Sequence, residues 1–558
     1  MRSYRSDQQE GPEFTKLWAD PSRLVTVKEM TRAAPLTVAW IVMVCCAGFG
    51  ATPIVWVVPS SLQRVGPTDA PGVKTDVKIH AARGEYESFQ VAVQAPGGGL
   101  TNVNFSVSEL LSPRGEELSP ANLILYRECY VTVKRHSPTY NGPPNLPITN
   151  VGTFPDALIP FLDPATDEPP LEPKIRAVPF DLAAGHNAVF WVDVFVPRGT
   201  AEGHYKGTYT VTSDQGAFEG KICVEVWGFT LPLKPSQKSS FNGGGSSVPG
   251  VTEELLRNRI MPDTVAHANE KKLIEGYGLN ATDLGFFSGV SYGQCDMSAA
   301  PSLREIESAK ALHQSDLYLY DESADPESSC TGTAFYKSMI AWAQNLHKAG
   351  IDNLVTQEPV PQLYDDGLGG GRSAVDVWTM LPLAYDDAQS FSPPRVTHML
   401  KKGDKAWSYN ALVQDSYSPK WELDFLPINY RIQAGFISQS LGLTGLLYWS
   451  VDDWSANPWE NPQGAQNPDY PGEGVLVYPG EPAGLKGVAP SMRLKYLRDG
   501  VEDYEYLQLL KNCGQSTFAL SEAQKVGRDW THWTRDERLL ESVREQLGNQ
   551  IASSNCAP

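Results

Sequence analysis

Between residues 54 and 235 the chain repeats short apolar stretches split by turn residues. Residues 188–196 read AVFWVDVFV, 205–211 YKGTYTV and 221–226 KICVEV, and glycine-containing turns separate them. Short runs rich in β-branched and aromatic residues at this spacing predict an antiparallel β-sandwich. The second half of residues 82–93, ARGEYESFQVAV, alternates like a half-buried strand. Residues 234–250 are rich in Ser, Gly and Pro and mark a junction, within which 240–242 can open a new strand.

Beyond the junction the period changes. Phe335, Met339, Trp342 and Leu346 recur at helical spacing within 333–349, and Gly350 is the stop signal. Apolar runs at 317–320 (LYLY), 353–356 (NLVT), 374–378 (AVDVW), 406–409 (AWSY) and 445–450 (GLLYWS) read as strands, with a helix over 430–441. Strands alternating with helices over about 250 residues predict a parallel sheet closed as a (β/α)8 TIM-type barrel. An open doubly wound sheet is the alternative, without a Gly-rich phosphate loop to support it. From 491 the chain reads as helical, with Leu494, Leu497, Val501 and Tyr504 on one stripe and a second helix over 535–551. The expected order is an N-terminal extension (1–52), a β-sandwich (53–237), a barrel (238–490) and a C-terminal helical segment (491–558).

Composition narrows the class. A net charge of −19 over 558 residues argues against nucleic-acid or anionic-membrane partners. The one long apolar run, 35–50, follows Arg32 and ends in Gly48 and Gly50, which suits a signal peptide cut before Ala51, with Met30 the natural start. An uncleaved N-terminal anchor is the alternative. Secreted or periplasmic location is therefore expected. Of six cysteines beyond this run, Cys295–Cys330 and Cys513–Cys556 can pair by proximity; free thiols are the alternative.

Each predicted barrel strand runs into polar or aromatic residues: Asp321-Glu322, Gln357-Glu358, Asp376 and Trp378, Trp407 and Tyr409, then Trp449, Asp452, Asp453 and Trp454. Barrel active sites collect at the C-terminal strand ends. Aromatic faces stack on sugar C–H surfaces and carboxylates handle hydroxyls and protons, so a glycan is the expected substrate. Asp321 and Glu322 are the sharpest pair, since adjacent carboxylates can be driven to different pKa values. Asp376 is either a hydroxyl ligand or a structural carboxylate at the rim. The nine histidines lack HExxH or HxH spacing, so no metal and no cofactor are expected, and His347 and His313 read as bland. No obligatory protein partner is implied.

ARGEYESFQ (82–90), YDES (320–323), VDVW (375–378), GLLYWSVDDW (445–454) and RLKYLRDGVEDYEYLQLL (493–510) together resemble glycoside hydrolase family 123. The resemblance implies a β-sandwich, a catalytic (β/α)8 barrel and a C-terminal appendage. It implies β-N-acetylgalactosaminidase activity by a retaining mechanism that uses the substrate's own acetamido group. On it, Glu322 becomes the acid/base and Asp321 the residue that steers the acetamide, with Asp376, Trp378, Trp407, Tyr409, Trp449 and Trp454 as pocket candidates. The 493–510 helix reads as scaffold held by ion pairs. Two rivals remain open at this stage: a glycosidase pairing Glu322 with Glu358 or Asp452, and a non-catalytic carbohydrate-binding surface protein.

Overall fold

Asn187–Val196 is buried along nearly its whole length because it is the central strand of a five-stranded antiparallel sheet. It pairs with Glu85–Gln94 on one side and Leu123–Val133 on the other; Ile54–Val57 and Gly152–Pro160 complete the sheet. The computed structural model describes residues 52–138, 151–243, 248–384, 393–554 and 556. The signal-peptide segment lies outside the described residues. A second sheet is built on the hairpin Gly203–Ser213 and Gly216–Thr230. Its edge strand Val77–Arg83 pairs in parallel, a departure from the all-antiparallel expectation. The inner faces share a core in which Phe105 stacks on Phe190 at 4.6 Å.

After Lys238 a seven-stranded parallel sheet forms, in the order Lys238–Phe241, Gly445–Tyr448, Lys405–Tyr409, Val377–Met380, Asp352–Val355, Tyr318–Ala324 and Ala281–Asp283. Residues 261–263 link the two edge strands. Phe241 N–H donates to Met261 O (3.0 Å), and Asp283 N–H to Asp263 O (2.7 Å). The expected barrel is thus present in part, as seven regular parallel strands and one short hydrogen-bonded link.

Register defines two faces. Glu322 pairs with Leu354, Leu354 with Val377, Thr379 with Trp407, and Tyr409 with Leu447. Side chains of this parity (Tyr320, Leu354, Val377, Trp407, Tyr409 and Leu447) share one apolar cluster inside the curved sheet. The other parity (Val355, Trp378, Ala406 and Leu446) packs outward with the helices. A Cβ on Gly445 would sit 2.4 Å from the Trp407 ring, so that position admits glycine alone.

Helix Thr333–Lys348 forms on the predicted stripe and buries Phe335, Met339, Trp342 and Leu346. The predicted 430–441 helix is interrupted by a π-turn at Gln433–Ile437. There Gly435 and Gly500 let two helices cross, since a Cβ on Gly500 would meet Arg431 O at 2.7 Å. Gly500 belongs to Met492–Asn512, capped by Ser491. That helix has little free face. Arg493 forks onto Asp156, Arg498 and Lys495 reach Asp193, and Asp503 pairs with Arg431. The motif therefore bolts the first sheet to the helix that carries Arg431, in addition to pairs within itself such as Arg498–Asp499. Both proposed disulfides, Cys295–Cys330 and Cys513–Cys556, are bonded. Among the described residues, no helix is long and apolar enough to cross a membrane.

Candidate active site

The strand Tyr318–Ala324 runs four residues past the predicted LYLY, so Asp321 and Glu322 lie inside it rather than in the following loop. Successive strand residues face opposite ways. Glu322 shares the parity of Tyr320 and is half-buried near the C-terminal rim of the concave face. Asp321 faces the other side and is fully buried. The segment 284–290 covers it: Leu284, Ser288 and Asp325 make backbone bonds that lay this segment along the strand, and Phe286 N–H donates to Asp321 Oδ1 at 2.9 Å. Oδ2 of Asp321 is buried with no hydrogen-bond partner. Glu322 and Asp321 thus face opposite sides of the sheet, where the sequence reading expects both to converge on one hollow.

A different acid stands beside Glu322. Asp283, at the end of the neighbouring strand, is opposite Tyr320 in register and half-buried, and its Oδ1 accepts the Glu322 N–H at 3.1 Å. Sequence reading passed over it because its strand is only the three residues Ala281–Asp283. Glu327 also went unnoticed. It accepts the Tyr409 hydroxyl at 3.0 Å, and with Ser328 it occupies left-handed backbone (φ +44° and +61°). Two such non-glycine residues in a row belong to over-determined, functional loops more often than to ordinary turns. Thr356 Oγ1 donating to Asp325 (2.6 Å), the Glu327 N–H bond to Thr356 Oγ1 (3.0 Å) and the Cys295–Cys330 disulfide hold this loop.

Burial and mutual repulsion raise the proton affinity of the whole group. Burial first, then Asp325, Asp283, Asp263 and Asp321, hold Glu322 well above the carboxylate range. Burial and Asp283 push Asp321 up to about 8. Burial, opposed by backbone hydrogen bonds from Gly285 and Glu322, leaves Asp283 at about 7. Glu327 rises to about 6 through burial and Asp325. A protonated carboxyl near neutrality is what a general acid requires.

The aromatic candidates divide. Tyr409 lines a cavity of about 180 Å³ at the C-terminal strand ends, with Glu327, Glu358 and Thr379. Trp449 is half-buried, its indole held by Glu473. Trp407 is fully buried below them, edge-on to Tyr320 at 5.4 Å, and serves as floor. Trp378 points outward into the core and donates to Asp404 at 3.1 Å. Trp454 donates to Val477 O and packs on a cluster shared by Val131 and Ala157 of the first sheet with Val475 and Tyr478. Asp376 lies at the opposite end. Its strand is Val377–Met380, not 374–378, so the acid precedes the strand. There it accepts from His347 (2.8 Å), Arg372 (2.6 Å) and Asn353 N–H (2.8 Å), as a structural carboxylate. His347, read from the sequence as a bland surface or capping residue, is buried between Asp366 and Asp376. A wider cleft of about 820 Å³ lies elsewhere, between Val77–Arg83 and the helix Glu537–Ser553, and no predicted site residue lines it.

Residues 393–510 match the family model described as Glycoside hydrolase 123, catalytic domain. They carry the family 123 glycoside hydrolase signature. This match agrees with the resemblance read from the sequence. A family 123 glycoside hydrolase from Clostridium perfringens, described for glycolipid glycan hydrolysis, has a similar structure at 14% identity. The TM-score is 0.59, and the match covers 90% of this chain and 98% of that one. This likeness establishes a shared fold. β-Glucuronidase 3 of Bacteroides uniformis (10% identity, 77% of this chain and 50% of that one) scores 0.25. A Bacteroides fragilis putative alpha-galactosidase (11% identity, 66% of each chain) scores 0.21. Both are too distant to argue from. The curated proteins contain no match.

The raised acids carry a stability consequence. Between about pH 4, where unfolded carboxyls titrate, and about pH 8, the folded chain holds more protons than the unfolded one, through Asp283, Asp321 and Glu502 (pushed up to about 7, 8 and 8). Stability should therefore fall as pH rises through that window. Asp193, held low by Arg498 and Lys495 against its burial, opposes this only at more acid pH. Thermal unfolding should give a lower Tm at pH 8.5 than at pH 5.5. An equal or higher Tm at pH 8.5 would refute this.

Proposed function

We propose that this chain is an exported glycoside hydrolase that removes a β-linked 2-acetamido sugar, N-acetylgalactosamine above others, with retention. The observation that carries the reading is Glu322: a carboxyl of raised proton affinity on the concave face near the C-terminal strand ends, its backbone N–H bonded to Asp283, with Tyr409 on the same face of the sheet. The match of residues 393–510 to the family 123 catalytic-domain model supports a glycoside hydrolase, the acetamido substrate follows from the family resemblance, and in this reading residues 261–263 act as the eighth stave of a (β/α)8 barrel.

Glu322 protonates the glycosidic oxygen as the C1–O bond breaks. The acetamido carbonyl oxygen attacks C1 and forms an oxazolinium-like ring. Water then attacks C1 and Glu322 takes its proton, so two inversions give retention. No enzyme nucleophile is needed, as in the substrate-assisted exceptions to the two-carboxylate scheme. Holding the acetamide in attack geometry supplies the intramolecular advantage.

The second role, accepting the acetamido N–H, goes to Asp321 on the resemblance; its unpartnered Oδ2 is an acceptor to spare once the 284–290 segment yields. A specific observation favours a second assignment: Asp283 already stands on the concave face, half-buried. Asp321→Asn and Asp283→Asn separate them. Loss of thiazoline inhibition together with activity identifies the steering residue; if neither change moves either readout, the acetamide mechanism is wrong.

The alkaline limb of kcat against pH should lie above the ordinary carboxyl range, because activity is lost as Glu322 loses its proton. In Asp283→Asn, with one negative neighbour fewer, that limb should move down by about one pH unit. An unmoved or raised limb would count against Glu322 as the acid.

A further inference from the structure

The fold also assembles three ligand-type side chains that no motif announces. His267 lies in the turn His267–Asn269, Glu270 opens the helix Glu270–Tyr277, and His313 follows the helix Leu303–Lys310. Their donor atoms all lie within 4.8 Å of one another. His313 Nδ1 is 2.6 Å and His267 Nδ1 3.3 Å from Glu270 Oε1, and the two rings stand edge to face, 4.4 Å between centroids. Bond lengths of about 2.0–2.1 Å around tetrahedral zinc place its ligand atoms about 3.3 Å apart; the His267–Glu270 pair has this spacing, and the hydrogen-bonded His313–Glu270 pair at 2.6 Å would part by about 0.7 Å to admit the ion.

We propose that His267, Glu270 and His313 bind a divalent transition metal of the zinc class. Glu270 is fully buried, and among the described residues its ion-pair partners are the two histidines. A buried carboxylate needs a charge partner, and a histidine supplies one only when protonated; a divalent cation supplies it through neutral rings. The other Glu270 oxygen accepts the Gln314 N–H at 2.8 Å, the outer-shell support that orients a ligating carboxylate. The His313 side chain is 3% exposed and that of His267 45%, so the set is anchored on one side and open to solvent on the other, leaving a fourth position for water. Two imidazoles and one carboxylate select zinc or cobalt over magnesium or calcium, which prefer all-oxygen sites. The ion would staple the turns leading into Ala281–Asp283 and Tyr318–Ala324, the strands that carry Asp283 and Glu322. This site is separate from the hydrolytic one, and its failure leaves that reading untouched.

The test uses the untagged full chain, stripped with a chelator. Added Co2+ should give the visible absorption of a tetrahedral site, saturating at one equivalent and lost on adding Zn2+. Zn2+ should raise the Tm by several degrees and Mg2+ should not. His267→Ala, at a solvent-exposed ring, should fold normally and lose both effects, and His313→Ala should do the same. Co2+ spectra and Zn2+ shifts that are identical in wild type and His267→Ala, or absent from wild type, overturn the assignment.

Discussion

Glu322→Gln should lower hydrolysis of an aryl 2-acetamido-β-galactoside with a poor leaving group by about 10²–10⁴, the usual worth of a positioned proton donor. The same variant should lose much less with a dinitrophenyl leaving group, which departs without a proton. That difference separates an acid from a residue that merely shapes the pocket, whose loss would slow both substrates alike. Folding should survive. The amide cannot ionise among Asp283, Asp325 and Asp263, so at pH 8 its Tm should equal or exceed that of wild type, the stability–function exchange expected of a crowded active site. Equal slowing of both substrates, or full activity, would remove Glu322 from the acid role.

Arg493→Ala should be the most destabilising single change. Arg493 is fully buried, forks onto Asp156 through two 2.8 Å bonds, and donates to Gly472 O at 2.6 Å. Removing one partner of such a pair leaves the other charge buried and costs about 3–5 kcal/mol, a large part of a typical stability of about 5–15 kcal/mol. Because Asp156 belongs to the first sheet and Arg493 to the long helix, the loss should appear as loosening between those layers. Chemical denaturation and limited proteolysis of the folded protein should register it. Arg493→Lys, which keeps the charge without the fork, should fall between. Wild-type stability in Arg493→Ala would contradict the scaffold role of the motif.

Much of this architecture was legible because long apolar runs and helical stripes dominate their local structure. The sandwich strands, the 333–348 helix and the order of strands from 318 to 448 follow from them. What escaped reading were short elements and strand phase. AVDVW looks like a strand over 374–378, but Asp376 is drawn to His347 and Arg372, and the strand starts only at Val377, three residues after the predicted start. That shift carries the acid to the opposite end of the sheet and turns Trp378 outward. LYLY hides the continuation of its strand through Asp321 and Glu322, because acids are poor strand formers until neighbouring strands claim their backbone. Alternation then separates the two acids and brings Asp283, from a three-residue strand, into the place expected of Asp321. The histidine–glutamate cluster was invisible for a simpler reason: His313 is 43 residues from Glu270, and only the packing of two turns joins them.

The most direct test is a parallel hydrolysis of matched aryl β-glycosides with a 2-acetamido or a 2-hydroxyl group. Turnover confined to the acetamido sugars, with the β-anomer released first, is the predicted result. Comparable turnover of the 2-hydroxyl sugars, or release of the α-anomer, would contradict it.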